Sequence, residues 1–205
     1  FDVITEILGT PADDFIRYSL IKTDQKNSQG KTPSFNSILG VWSKSPSLTQ
    51  KTDGQLYSRS VLGVVPFANL AQPARQQLLD LMQSQKVYDP DYLAIKRSLH
   101  NGRPVYTYVV KVNAEAYIVM LKKYASVVGL TQFDQTNPAD YRTAEPLRFQ
   151  FDIDVWTHEL KVVRYSTPRE EHYGSFGIQT ALPKAPTQTI STDELQQRVQ
   201  AAQQL

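Results

Sequence analysis

The chain opens with a pattern typical of a β-hairpin. Residues 1–8 and 15–22 are rich in strand-forming apolar side chains, and they flank a turn-rich connection at residues 9–14. Neither run alternates strictly between apolar and polar residues, so the pattern predicts strands whose two faces are both partly covered. The polar residues 23–34 that follow are typical of an exposed loop.

A second hairpin is predicted around Asn101-Gly102, a pair favoured at the two central positions of a type I′ turn. This two-residue turn places Arg97 opposite Tyr106, and residues 88–91 are expected to form a separate turn before the hairpin. One face of the hairpin is mixed, and the other is apolar and expected to belong to the core. The apolar face consists of Leu93, Ile95, Leu99, Tyr106, Tyr108 and Val110.

Three segments show the three- and four-residue spacing of an amphipathic helix. The first lies within residues 70–82. The second follows Asn113, a favoured N-cap, and ends before Gly129, which suits a helix C-terminus. The third begins with a capping box of Ser191 and Glu194, and its narrow apolar stripe predicts that it docks lightly.

Residues 147–155 alternate strictly between apolar and polar, which predicts a strand with one buried face. The polar face carries Asp152 and Asp154. These carboxylates are compatible with a weak divalent-cation site or with acid/base catalysis involving His158. The favoured interpretation is a solvated outer face, with the charges balanced by Arg148 or Lys161.

The remaining C-terminal pattern predicts two more strands. Residues 160–165 are expected to pair back onto the strand at 147–155. Residues 167–172 are expected to form a charged loop, and residues 173–182 a further strand. The order of the elements favours the α+β class with an antiparallel sheet. We expect one domain over residues 1–182, followed by a linker and a docked C-terminal helix at 183–205.

Composition excludes several functional classes. The net charge of +2 arises from 22 basic and 20 acidic residues, so no strong field favours nucleic acid. No apolar run is long enough to span a bilayer. The absence of cysteine excludes disulfides and thiol catalysis in this sequence, and it suits an extracytoplasmic location. The start at Phe1 within a strand pattern suggests either a processed mature protein or an N-terminal membrane anchor outside this sequence.

Catalytic and cofactor motifs are not found. The sequence has no glycine-rich phosphate loop, no nucleophile elbow and no His-Glu-x-x-His zinc motif. His100, His158 and His172 fall at turn or loop positions. We therefore expect no catalytic residues, no metal and no cofactor, and we interpret the protein as non-enzymatic.

Aromatic residues at sheet positions are the only feature that points to binding. Together with apolar residues of the second helix, they are the side chains that would line a cavity between a sheet and its helices. The alternative is a filled core, because both have the same residue pattern. The residues predicted to line the cavity are Tyr106, Tyr108, Tyr117, Ile118, Leu121, Phe149 and Phe151.

The layout resembles the LolA/LppX-type lipoprotein carriers. The resemblance lies in the opening hairpin, in the hairpin-then-helix segment at residues 103–130 and in the hairpin at residues 147–165. It implies a curved antiparallel sheet, an open half-barrel, with helices packed on its concave face. It also implies a membrane-tethered protein of the bacterial cell envelope that carries an apolar, lipid-like ligand.

Two other functions stay open at the level of sequence. One is an envelope interaction or scaffold module with a filled core, which would bind a protein partner through loops at residues 23–34, 43–54 and 132–145. The other is a hydrolase with a site around Asp152, Asp154 and His158.

Overall fold

The computed structural model of the chain describes residues 2–27, 29–45, 55–66, 68–174 and 184–204. These residues form two sheets and four α-helices, which confirms the predicted α+β class. In chain order the elements are β1 (Asp2–Gly9), β2 (Asp14–Lys22), β3 (Ser43–Lys44), α1 (Gln55–Val61), α2 (Gln72–Ser84), β4 (Tyr88–His100), β5 (Arg103–Val112), α3 (Ala114–Val127), a 3-10 helix (Pro138–Tyr141), β6 (Leu147–Asp154), β7 (Leu160–Arg164), β8 (Glu170–His172), β9 (Ile190–Ser191) and α4 (Thr192–Gln204).

The chain divides into two compact units, and each is described by itself. Unit 1 comprises Phe1–Phe67, Gly129–Gln132 and Leu182–Leu205. Unit 2 comprises Ala68–Val128 and Phe133–Ala181. The single domain expected over residues 1–182 stays a prediction.

Unit 1 is organised around a sheet with the strand order β1-β2-β3-β9. The opening hairpin is confirmed, with β1 and β2 antiparallel and Leu8 opposite Phe15. A bulge between Ile4 and Thr5 shifts the register within this hairpin. The β3–β9 pair is parallel and joins the C-terminal part of the chain to this sheet.

The core of unit 1 includes helix α4. Leu195 and Ala202 are buried in one cluster with Phe35 and Ile38. Leu195 and Ala202 of the narrow α4 stripe are therefore buried and Val199 is partly buried, which is closer docking than the sequence suggested. The predicted N-cap is present, because the Ser191 hydroxyl accepts a hydrogen bond from the Glu194 amide at 3.0 Å.

Unit 2 contains an antiparallel five-stranded sheet with the order β4-β5-β6-β7-β8. The predicted register of the β4–β5 hairpin is confirmed next to the turn, where residues 96–100 pair with residues 103–107 and Arg97 lies opposite Tyr106. Asn101 and Gly102 have φ angles of 50° and 77°, the positive values that a type I′ turn requires.

The first half of β4 differs from the prediction in two ways. Residues 88–91 do not form a turn, because they pair with residues 109–112 of β5. Beyond them the register shifts between Asp91 and Lys96, so that residues 92–95 bulge outward opposite Tyr108.

The face of this hairpin expected to be core is largely exposed. Leu93 is 100% exposed, Leu99 is 73% exposed and Tyr106 is 36% exposed, whereas Val110 is 3% exposed. The alternation of apolar and polar residues along the strands identified the buried face correctly near Val110. It failed towards the Asn101-Gly102 turn, where the described residues leave the apolar side chains uncovered.

The C-terminal half of unit 2 contains the predicted β6–β7 hairpin and an additional strand. Residues 170–172 form β8, paired with β7, where a charged loop was expected. Most of the strand predicted at residues 173–182 lies outside the described residues, and so does most of the loop predicted at 43–54.

The helices of unit 2 agree with the sequence pattern. In α3, the Asn113 side chain accepts a hydrogen bond from the Ala116 amide at 3.0 Å. Gly129, just past the helix, has a φ of 79°, the left-handed conformation common at helix ends. The buried side chains of α3 are Ala116, Met120, Leu121, Tyr124 and Ala125.

Candidate functional site

The seven residues predicted to line a cavity all lie in unit 2, on β5, β6 and α3. Tyr106, Tyr108, Phe149 and Phe151 share one face of the sheet, because Tyr108 lies opposite Phe151 in the β5–β6 register. Phe149 and Leu121 are buried, and Tyr106 is the most exposed of the seven. Tyr108, Tyr117, Ile118 and Phe151 are half-buried.

Ring contacts join these residues to further aromatic side chains. The Tyr92 and Tyr108 rings meet edge to face at 6.5 Å between centroids. Tyr88 and Phe151 are 6.0 Å apart. Phe149 and Tyr165 are 5.2 Å apart, again edge to face. We call this set the aromatic face, and it consists of Tyr88, Tyr92, Tyr106, Tyr108, Phe149, Phe151 and Tyr165.

Glu171 on β8 is a polar group on the same side of the sheet. Its carboxylate accepts hydrogen bonds from the hydroxyl of Tyr165, from the hydroxyl of Tyr173 at 2.8 Å and from Arg169 at 2.9 Å. The Arg169 guanidinium also stacks on the Tyr165 ring at 4.6 Å. The negative charge at this position is therefore compensated within the protein.

The phenols around Glu171 are held in the neutral form. Burial, reinforced by the Glu171 carboxylate, raises the pKa of Tyr117 to about 12. Burial, followed by the hydrogen bond to Glu171, also raises the pKa of Tyr165. Burial raises the pKa of Tyr88. Near neutral pH these side chains are uncharged hydrogen-bond donors within an apolar environment.

Sequence reasoning missed Glu171, because it assigned residues 167–172 to a loop. The available signal was the two-residue spacing of Arg169, Glu171 and Tyr173, which places all three on one face if the segment is extended.

A band of exposed apolar side chains continues from the aromatic face along β4 and β5. Monomeric proteins rarely expose large contiguous apolar patches unless something binds there. Because Leu93 and Ile95 lie in the bulge of β4, their exposure follows from the register shift. We call this band the apolar strip, and its members are Tyr92, Leu93, Ile95, Leu99 and Tyr106.

The opposite face of the sheet carries a polar network centred on a buried carboxylate. Asp152 is 1% exposed. It accepts a hydrogen bond from Thr107 at 2.7 Å and forms an ion pair with Arg164 at 2.7 Å. At one end Thr107 is hydrogen-bonded to Ser98, and at the other end Arg164 donates to Glu170. The network therefore extends across all five strands.

Asp154 organises the turn that follows β6. One carboxylate oxygen accepts hydrogen bonds from the Trp156 and Thr157 amides, each at 2.9 Å. The other oxygen lies 3.5 Å from Arg103. The amides of Thr157 and Trp156 hold the pKa of Asp154 below its usual value, against the opposing effect of burial, and Arg103 adds to the lowering.

The expected solvated face for Asp152 and Asp154 is therefore wrong, because both carboxylates are buried. Their ion pairs are with Arg164 and Arg103, and the expected Lys161 contributes to the lowering of the Asp154 pKa. The interpretation of alternating apolar and polar residues assumes that one face of the strand is exposed to solvent. The β5–β6 pair has buried residues on both faces. Among the described residues no group of three or more His, Cys, Asp or Glu is arranged to hold a metal ion.

The histidines are divided between two places. His158 occupies the turn after β6 with a φ of 56°. The rings of His100 on β4 and His172 on β8 lie 6.0 Å apart, although these strands are the first and the last of the sheet.

Comparisons with protein-family models, curated proteins and solved structures find no match for this chain. The class that the structure defines is therefore an α+β protein with two sheets. The resemblance to the LolA/LppX-type carriers stays a prediction from the sequence. Within the described residues, every helix is too short or too polar to cross a bilayer.

Proposed function

We propose that this protein is a non-enzymatic binding or carrier module for an apolar, lipid-like ligand. The observation that carries the proposal is the apolar strip, which is exposed and continuous with the aromatic face of unit 2. The extracytoplasmic location and the membrane tether belong to the same proposal and rest on the sequence.

The chemistry of the aromatic face supports an amphipathic ligand. Its rings offer apolar area, and the cluster of Glu171 with the hydroxyls of Tyr165 and Tyr173 and with Arg169 forms a polar group beside them. A fatty acid or a related acyl compound has the matching composition, an apolar chain with a polar end.

One further distance supports strong bending of the five-stranded sheet. In a flat sheet, β4 and β8 would be about 19 Å apart, because neighbouring strands are separated by about 4.8 Å. The 6.0 Å between the His100 and His172 rings favours a sheet bent towards the face of Asp152. The expected half-barrel with helices on its concave face stays part of the proposal. At this end the bend is towards the Asp152 face, so the ligand is proposed to bind the aromatic face there as an open surface rather than inside a concavity.

The test is displacement of a fluorescent apolar probe, ANS, by oleate. Leu99→Ser and Tyr106→Ser remove apolar area from the strip at exposed positions, so the fold should tolerate both. Burying one such side chain against a ligand contributes about 1.5–3 kcal/mol, so each variant should weaken oleate binding by at least about tenfold. Leu79→Ser is the matched control, because Leu79 is 51% exposed on α2 and outside the strip.

Equal binding by all variants, or no displaceable binding by the wild type, would overturn the carrier function. In that case an exposed apolar bulge on an edge strand favours the second candidate, a docking surface for an envelope protein. A crosslinking residue in place of Leu93 would then capture a partner protein, and deletion of the bulge would abolish this capture.

A further inference from the structure

Unit 1 contains a groove that the proposed function does not use. Its volume is about 560 Å³, within the range of small-molecule sites. It lies between residues 40–42 and residues 184–190, which meet where the Ile190 amide donates to the Trp42 carbonyl oxygen at 2.9 Å. The rest of the lining is formed by Gly40, Val41, Lys184, Pro186, Thr187, Gln188 and Thr189.

The charge of the groove is one-sided. Among the described residues of the lining, Lys184 is the only charged one and no acidic residue accompanies it. Among the described residues, Lys184 is exposed and takes part in no ion pair with a carboxylate. A ligand with one negative charge would therefore find a counter-ion there without displacing an existing partner.

The lining of the groove also has an apolar part. It consists of Trp42 together with Val41, Pro186 and Ile190. The guanidinium of Arg17 already stacks on the Trp42 ring at 4.7 Å, and Arg17 is itself paired with Glu6 at 2.5 Å. The Arg17 charge is thus neutralised, and Lys184 remains the cation available to a ligand.

From this combination we propose that the groove of unit 1 binds a small aryl carboxylate. The aromatic ring lies against Trp42, and the carboxylate pairs with the Lys184 ammonium group. The hydroxyl groups of Thr187 and Thr189 are further hydrogen-bond donors in the lining. This site is independent of the aromatic face in unit 2.

The experiment uses the full chain with Trp156→Phe, so that Trp42 is the only tryptophan. Trp156 is 65% exposed, and this replacement should leave the fold intact. Benzoate, phenylacetate and 2-naphthoate are titrated to millimolar concentration while Trp42 fluorescence is followed. The neutral amides of the same acids serve as ligand controls, and Lys31→Gln is the control variant, because Lys31 is an exposed lysine outside the lining.

We expect saturable binding of at least one acid and at least about fivefold weaker binding of its amide. Lys184→Gln should weaken the acid by about five- to tenfold, as expected for loss of one charge-assisted hydrogen bond, and Lys184→Arg should restore most of it. Lys31→Gln should leave the affinity unchanged. The proposal is overturned if no acid binds, if an acid and its amide bind equally, or if Lys184→Gln has no larger effect than Lys31→Gln.

Discussion

The buried ion pair between Asp152 and Arg164 makes a quantitative prediction about unit 2. Asp152 is almost fully buried, whereas the side chain of Arg164 is 32% exposed. Exposed ion pairs contribute about 0–1 kcal/mol, and breaking a fully buried pair costs about 3–5 kcal/mol. With one partner buried and the other partly solvated, we expect a coupling free energy of about 2 kcal/mol.

The single replacements should each lower the free energy of unfolding. Asp152→Asn keeps an acceptor for Thr107 but removes the charge opposite Arg164, so a loss of about 2 kcal/mol is expected. Arg164→Gln leaves a buried carboxylate with the Thr107 hydroxyl as its remaining partner, so its cost should be larger, about 3 kcal/mol. The double variant should cost less than the sum, because each first replacement already removes the pair.

The assay is urea unfolding of a double-mutant cycle in a Trp42→Phe background, where Trp156 reports on unit 2. The control is the same cycle on Glu194 and Arg198, an exposed pair one helical turn apart on α4, in a Trp156→Phe background with Trp42 as reporter. That pair should show a coupling of about 0.5 kcal/mol or less. A coupling for Asp152 and Arg164 no larger than the control would refute the reasoning, because burial of Asp152 would then add nothing to the pair.

Three further predictions follow from single sites. Tyr117→Phe should reduce the loss of stability at alkaline pH. The folded pKa of Tyr117, about 12, lies above the unfolded value of 10.0, so its contribution to the free energy of unfolding is full below pH 10 and is lost as the pH rises towards 12. Urea midpoints at successive pH values would show no difference in slope if the phenol is not buried. Asp154→Asn should lower the stability of the folded protein at neutral pH, and the difference from the wild type should vanish in acid. A lowered carboxyl pKa stabilises the folded state at pH values above the ordinary pKa of 3.8, and this stabilisation is lost as the pH falls through the folded pKa. An unchanged acid-unfolding curve would contradict this. Gly9→Ala should cost about 1–3 kcal/mol, because a Cβ there would lie 2.6 Å from the Tyr57 amide nitrogen, whereas Gly174→Ala meets nothing within 4 Å and should be neutral in thermal unfolding.

The sequence predicted those elements whose local chemistry is self-sufficient. The type I′ turn at Asn101-Gly102 needs two residues that tolerate positive φ, and both are adjacent in the chain. The caps at Asn113 and Ser191 are hydrogen bonds within a single turn. In each case the partners lie within four residues, so the pattern contains the whole interaction.

Long-range pairings left no comparable signal. The parallel β3–β9 pair involves two residues on each strand, too few for periodicity to be visible. β8 has three residues, and four of the residues beside it in the sequence are charged or polar, so the sequence shows no strand pattern there. The segment is a strand because it pairs with β7. The position of Glu171 among the tyrosines follows from that pairing, so the candidate site was predicted only in its β5, β6 and α3 part.

The same distinction explains why the faces of β4 were misjudged, and it bears on function. Alternation assigns a residue to a face only while the register is continuous, and the shift between Asp91 and Lys96 interrupts it. A bulge that exposes Leu93 completely removes apolar area from the core and leaves it in water, at a cost of about 1.5–3 kcal/mol for such a side chain. A local arrangement that sacrifices stability in this way is typical of binding surfaces rather than of packing. This cost supports the proposal of an apolar occupant for the apolar strip, and the oleate displacement experiment is therefore directed at this strip.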